Sequence, residues 1–212
     1  MRVGVFGTGP VGRAIGTRLV ETGHAVTMGS REPDNPTAAE WAAGAGGAAG
    51  DFAAAARDAE VVVNATGGGV SLAAFERAGS DLAGVVVLDV SNALDFSGGS
   101  LTLSVPQDDS VAERLQRAYP AARVVKALNT MNADLMVHPE LVPGPHEVFV
   151  AADDEDAKAV VTGLLRGFGW PAESILDVGG LTAARGLEAG VLFWVTLRLA
   201  IGTNRFNFHL AR

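Results

Sequence analysis

The chain has 212 residues, 27 of them glycine and none cysteine, with a formal net charge of −8. That length makes one ordinary domain, or one domain with a small annex, and 48% apolar against 19% charged residues excludes a disordered or fibrous chain. Lack of cysteine excludes a disulfide scaffold, thiolate metal sites and a cysteine nucleophile, and the acidic balance argues against nucleic acid or an anionic membrane as partner.

The first apolar run, Val3 to Phe6, predicts a strand rather than a signal peptide, because no long uninterrupted apolar region follows it. With the missing cysteines this makes a cytoplasmic location the expectation. Directly after the strand stands Gly7-Thr8-Gly9-Pro10-Val11-Gly12. In a dinucleotide-binding turn the first glycine makes the tight turn, the second lets a pyrophosphate approach the backbone, and the third lets helix and strand pack closely. Pro10 falls early in the helix, where its missing N–H costs nothing. Val11, Ile15 and Leu19 continue that helix to a stop at Gly23.

A second strand, Ala25 to Met28, runs into Gly29-Ser30-Arg31. An NAD site usually shows a carboxylate there for the ribose hydroxyls; here Arg31 is expected to pair with a 2′-phosphate and Ser30 to donate to it, which points to NADP. Glu32 is the alternative, an NAD-type acid if the strand end is shifted. Thr37 and Glu40 have capping-box spacing before Trp41, with a stop at Gly44, and Asp51 is placed to cap an Ala-rich helix.

The strand Val61 to Asn64 ends in Ala65-Thr66-Gly67-Gly68-Gly69, a loop flexible enough to lie against a flat ring. Val85 to Val90 leads into Ser91-Asn92. Ser110 and Glu113 form a second capping box, with Pro120 beyond its helix. Val124 to Leu128 leads into Asn129-Thr130-Met131-Asn132. Polar groups at the carboxyl ends of strands are where open α/β sheets bind ligands; turn and cap duty is the plainer reading.

Strand and helix alternate to about residue 130, so the fold is expected to be a Rossmann-type doubly wound parallel sheet over residues 1–131. Residues 132–212 are expected to form a small C-terminal α/β domain: a strand at Glu147 to Ala151, a helix over 155–167, and a long apolar helix from Leu181 to about Gly202, bent at Gly186 or Gly190. That last helix is expected to pack between domains or across a dimer interface. The apolar stretch 189–201 is too short to span a membrane and contains Arg198. The acids Asp153 to Asp156 precede a helix and read as its cap rather than as a metal site.

GTGPVGRAIGTRLVETGHAVTMGSRE, VVVNAT, VVVLDVSNALDF, VVKALNTMNADLMV and the ending LTAARGLEAG…GTNRFNFHLAR resemble the NADPH-dependent reductases of coenzyme F-420, the NADP:8-hydroxy-5-deazaflavin oxidoreductases. The resemblance covers nearly the whole chain. A related module occurs in membrane ferric reductases, whose membrane half this sequence does not show. The resemblance implies that Gly7, Thr8, Gly9, Val11, Ser30 and Arg31 hold NADP, and that Ala65, Thr66, Asn129, Thr130 and Met131 border the nicotinamide. It also implies that Phe206 and Asn207 line the deazaflavin side and that the protein is a homodimer. One departure from the family pattern is Gly67 to Gly69, where a bulkier residue or proline is common.

Hydride transfer between stacked rings needs positioning, not a covalent residue or a metal. No catalytic side chain and no metal site is therefore expected. The partners expected are small-molecule redox co-substrates. Residues 175–212 carry a net +2 against −10 for the remainder, so Arg185 or Arg205 is placed to meet the phosphate and glutamate tail of F-420. The rivals are an NADPH reductase of a flavin, ferric complex, imine or ketone, and a non-catalytic NADP(H) sensor. An imine or ketone reductase should place a Lys, His or Tyr acid in the crevice; Lys126 is the only nearby lysine, and it precedes its strand end.

Overall fold

The computed structural model describes residues 1–79, 82–95 and 97–211. Arg212, counted above in the basic tail, and Phe96 of the quoted motif lie outside the described residues.

The chain opens with β1 (Arg2–Phe6), α1 (Pro10–Glu21) and β2 (Ala25–Ser30). It continues through α2 (Pro36–Ala45), β3 (Ala48–Asp51), the single-turn α3 (Phe52–Ala56) and β4 (Val61–Asn64). A 3-10 turn leads into α4 (Ser71–Ala78), then β5 (Val86–Asp89), a short antiparallel pair of β6 (Leu94–Asp95) and β7 (Thr102–Leu103), and α5 (Val111–Ala118). The last third holds β8 (Arg123–Ala127), the single-turn α6 (Ala133–Val137), β9 (Val148–Ala151), α7 (Glu155–Phe168), β10 (Ile175–Asp177) and α8 (Ala184–Ile201).

Eight strands form one sheet in the order β10-β9-β8-β5-β4-β1-β2-β3. All neighbouring pairs are parallel except β8 and β9. The sheet is thus mixed rather than wholly parallel, and the C-terminal strands extend it instead of building another. Strand order reverses at β1 and β4, which leaves a crevice at their carboxyl ends. Val61 and Val63 enter one core layer with Ile15, Leu19, Trp41 and Phe168, while Val62 enters the other with Phe6, Phe52, Phe75 and Leu115. Burial on both faces explains why these strands show apolar runs without alternation.

Local signals set several helix ends. The Asp51 carboxylate accepts from the Ala54 N–H at 2.7 Å. Ser110 Oγ accepts from the Glu113 N–H and donates to its carboxylate, completing that capping box. Asp154 caps α7 by accepting from Ala157 N. The Thr37–Glu40 box is a correction: the cap is Asn35, whose Oδ1 accepts from Ala38 N, because Pro36 takes the first helical position.

The last helix also needs correcting. It is long and uninterrupted by Gly186 or Gly190, but it is not the apolar rod expected. Its inward face carries Glu188 between Ala184 and Val191, and Arg185 pairs with Glu113 of α5. Its second half leaves Phe193, Leu199 and Ile201 exposed. Among the described residues, no helix is long and apolar enough to cross a membrane.

Candidate functional site

The crevice at β1 and β4 holds a cavity of about 490 Å³ lined by Gly7, Thr8, Gly9, Ser30, Arg31, Asn35, Phe52, Ala65, Thr66, Gly67, Val70, Ala73, Ala74 and Arg77. Eight residues expected from the sequence therefore meet at one place. Gly7 has φ +116°, and its amide donates to Gly29 O, so the turn locks β1 to β2. At the start of α1 no side chain caps the helix and no acid stands in its first turn. The amides of Val11 and Gly12 and the positive end of the helix dipole are thus left for an anion. Pro10 supplies the first helical position, and Gly12 is buried against Gly7 and Ala65.

The far wall comes from the loop after β4. Asn64, fully buried, donates to Asp89 Oδ1 at 2.8 Å and to Ser71 Oγ at 3.0 Å, and its Oδ1 accepts from the Thr66 hydroxyl at 2.7 Å. Thr66 is therefore held by its own strand. The Gly67–Gly69 departure has a physical role at its centre: the Gly68 amide donates to Asn92 O, and a Cβ there would sit 2.6 Å from that oxygen. The loop packs backbone to backbone on the segment after β5.

Behind this wall lies a buried ionic triad. Lys126 Nζ is 2.8 Å from Asp89 Oδ2 and 2.9 Å from Glu188 Oε1, and it also donates to Ser91 O. Glu188 accepts in addition from the first amides of α5, Val111 at 3.0 Å and Ala112 at 3.3 Å. Burial pushes the Glu188 carboxyl above its ordinary range, against the pull of Lys126 and with the push of Asp89. Lys126 is thus wholly occupied. Among the described residues, no Lys, His or Tyr lines the cavity.

The other expected residues lie outside the lining. Asn129 is buried, donating to Asn92 Oδ1 and to Leu187 O of α8, both at 2.9 Å. Thr130 and Met131 are buried beside it. The preceding Leu128 has φ +65°, a left-handed conformation a leucine rarely adopts, so this turn is held under strain by its surroundings. Phe206 stacks on Trp194 at 5.3 Å, and Asn207 donates to Glu147 O at 2.8 Å, which draws the tail onto the segment before β9. Arg185 is taken by Glu113, whose carboxyl that pairing holds below its ordinary range, so it is not the free cation expected for F-420. Arg205 is exposed and has no carboxylate partner among the described residues.

The sequence reading missed Asn35, Phe52, Val70, Ala73, Ala74 and Arg77. Asn-Pro at 35–36 is a helix-start signal. Ala74 and Ala78 followed by Gly79 have the spacing of a short helix and its stop. Nothing local shows that Arg77 turns toward Arg31.

The sheet, its reversal point and its glycine turn define a Rossmann-type dinucleotide-fold protein. A family model described as NADP oxidoreductase, coenzyme F-420-dependent, matches residues 2–93. A solved structure from Arthrobacter sp. FB24, provisionally described as an F-420-dependent NADP-reductase, is 43% identical, with 100% of each chain covered and a TM-score of 0.94. Metalloreductase STEAP3 of Rattus norvegicus is 31% identical over 194 residues, 89% of this chain, and the chain spans only 36% of that protein's length. An imine reductase from Aspergillus terreus shares 18% identity at a TM-score of 0.66, over 95% of this chain and 62% of its own, which shows the fold alone. The chain belongs to the family of coenzyme F-420-dependent NADP oxidoreductases.

Proposed function

We propose that this chain transfers a hydride between NADP(H) and the deazaflavin coenzyme F-420. The observation that carries the reading is the composition of the cavity in a chain of this family. A glycine turn and an uncapped helix start border the cavity, Arg31 follows β2, and among the described residues no acid, lysine, histidine or tyrosine lines the wall. β2 ends at Ser30, so Arg31 and not Glu32 takes the position after the strand, and Glu32 lies outside the lining. When bound, the nicotinamide supplies or accepts the hydride. The chain's part is positional: the amides of Val11 and Gly12 would hold the pyrophosphate, and Ala65, Thr66 and Gly67 would form a flat wall. Asn129, Thr130 and Met131, then Phe206 and Asn207, remain our assignment for the nicotinamide edge and the deazaflavin side.

Anaerobic mixing with NADPH and oxidised F-420 is expected to bleach the deazaflavin absorbance. Tight NADPH binding without bleaching overturns the reading. A second reading is reduction of a flavin or ferric complex, favoured by the likeness to the rat metalloreductase; the same mixing with those acceptors separates the two.

We also propose that the protein is a homodimer. The support is the apolar surface that α8 leaves open, with Leu199 74% exposed and Phe193 stacked on Phe208. Light scattering is expected to give twice the chain mass, and Leu199→Glu to give a folded monomer. A monomeric parent protein at micromolar concentration refutes the assembly.

A further inference from the structure

In the structure the Ser30 hydroxyl is turned to its own backbone, so it would have to rotate to share a 2′-phosphate with Arg31. A serine hydroxyl has one proton. Ser30 Oγ donates that proton to the Glu32 carbonyl and accepts from the Glu32 amide, and the side chain is buried. Arg31 is then the cation that lines the cavity from the end of β2.

A second cation stands there. Arg77 lies in the last turn of α4, on the face that also brings Ala73 and Ala74 to the cavity. The two alanines are small, so the helix lies close to the wall. Arg31 follows β2 and α4 follows β4, so the two arginines reach the cavity from opposite sides of β1. They are 46 residues apart in sequence, yet Arg77 Nη1 reaches the Arg31 carbonyl at 3.4 Å. That bond is long and exposed, and it leaves the remaining guanidinium donors of Arg77 free of any protein partner among the described residues. Among those residues neither arginine is paired with a carboxylate, and none of them that lines the cavity is an acid. Two guanidiniums lining one cavity repel each other, and a dianionic phosphomonoester between them relieves the repulsion while accepting from both forks.

We propose that Arg77 is the second half of a guanidinium clamp that recognises the 2′-phosphate and makes the site selective for NADP(H) over NAD(H). This rests on the reading of the cavity as a dinucleotide site, and it adds a specificity residue to it. Ser30 is then a positioning residue: its paired bonds to Glu32 shape the turn that presents Arg31.

Calorimetric titration of the full chain with 2′,5′-ADP and with 5′-ADP tests the clamp without any redox readout. The parent protein is expected to prefer 2′,5′-ADP. Arg77→Ala is expected to weaken 2′,5′-ADP about ten- to a hundredfold, the scale of one or two hydrogen bonds to a charged group, and to leave 5′-ADP unchanged. Arg77→Lys keeps the charge but loses the fork and is expected to fall between. Arg31→Ala should match Arg77→Ala, and the double variant should lose the preference. Equal weakening of both ligands by Arg77→Ala would mean that Arg77 stacks on the adenine, which overturns the clamp. A preference that Arg77→Ala leaves undiminished overturns the clamp but leaves the 2′-phosphate reading standing on Arg31. A parent protein without any preference overturns both.

Discussion

Lys126→Met is expected to be the most damaging single substitution outside the strands' apolar core. Methionine fills the aliphatic volume but removes the ammonium that sits between Asp89 and Glu188, all three side chains being almost wholly buried. Removing one partner of a buried ion pair costs about 3–5 kcal/mol, because the other charge stays desolvated and unpaired. Here two carboxylates are left. Urea denaturation at pH 7 should show that loss in the midpoint with little change in slope. A loss under about 1 kcal/mol would refute the triad as a structural tie. The loss should also depend on pH. Burial holds the folded Glu188 carboxyl above its ordinary value of 4.5, Lys126 opposing that shift and Asp89 adding to it. A carboxyl raised in the folded state stabilises the fold while protonated, and that stability is lost as pH rises from the ordinary value through the folded one. Without Lys126 the folded value climbs further. The gap between variant and parent should therefore be widest near neutrality and narrow on acidification. A gap independent of pH would show that Glu188 is not the group left stranded. The damage should reach the cavity, because Asp89 Oδ1 holds Asn64, and Asn64 holds the Thr66 hydroxyl. Weaker NADPH binding in the fraction still folded is the accompanying expectation.

The second large effect separates two glycines of one motif. A Cβ on Gly12 would drive into the carbonyl oxygen of Gly7 and come within 3.5 Å of the Ala65 Cβ. Backbone cannot move aside as a side chain can, so Gly12→Ala should cost about 2–3 kcal/mol, the upper range of overpacking, and lever α1 off β1. Gly9 has φ −72°, which alanine accepts, and a Cβ there meets nothing within 4 Å. Gly9→Ala should therefore leave stability within about 0.5 kcal/mol of the parent. Its new methyl stands at a cavity wall, where the pyrophosphate must approach, so NADPH affinity should fall at least about tenfold. Thermal melts with and without NADPH check both: Gly12→Ala melts low in either case, whereas Gly9→Ala melts normally alone and loses the NADPH-induced rise. Normal NADPH stabilisation of Gly9→Ala would argue against pyrophosphate at this turn.

Much of the nucleotide half was legible because its signals are local. The Gly7 to Gly12 motif, the strand before it and Arg31 at the end of β2 need only a few consecutive residues. The Asp51 cap and the Ser110–Glu113 box close hydrogen bonds across three residues, so spacing alone reveals them. β3 was hidden for the opposite reason. Ala48-Ala49-Gly50-Asp51 has little intrinsic strand preference and becomes a strand by pairing with the edge of β2. β10 is a three-residue strand held in the same way by β9.

By itself, the sequence determined the class of fold, the glycine turn before the first helix and the cation after the second strand, because each depends on backbone geometry within one turn of the chain. Only the tertiary structure decided which polar groups remain available. Lys126 is a lone lysine near the crevice in sequence, yet the fold gives it Asp89 from β5 and Glu188 from α8 and removes it from chemistry. Arg185 is spent on Glu113. Arg77, an ordinary helix-surface arginine in sequence, is brought by α4 to the mouth of the cavity opposite Arg31. A side chain's chemistry is set by the partners that compete for its donors and charge, and those partners come from strands and helices far apart along the chain.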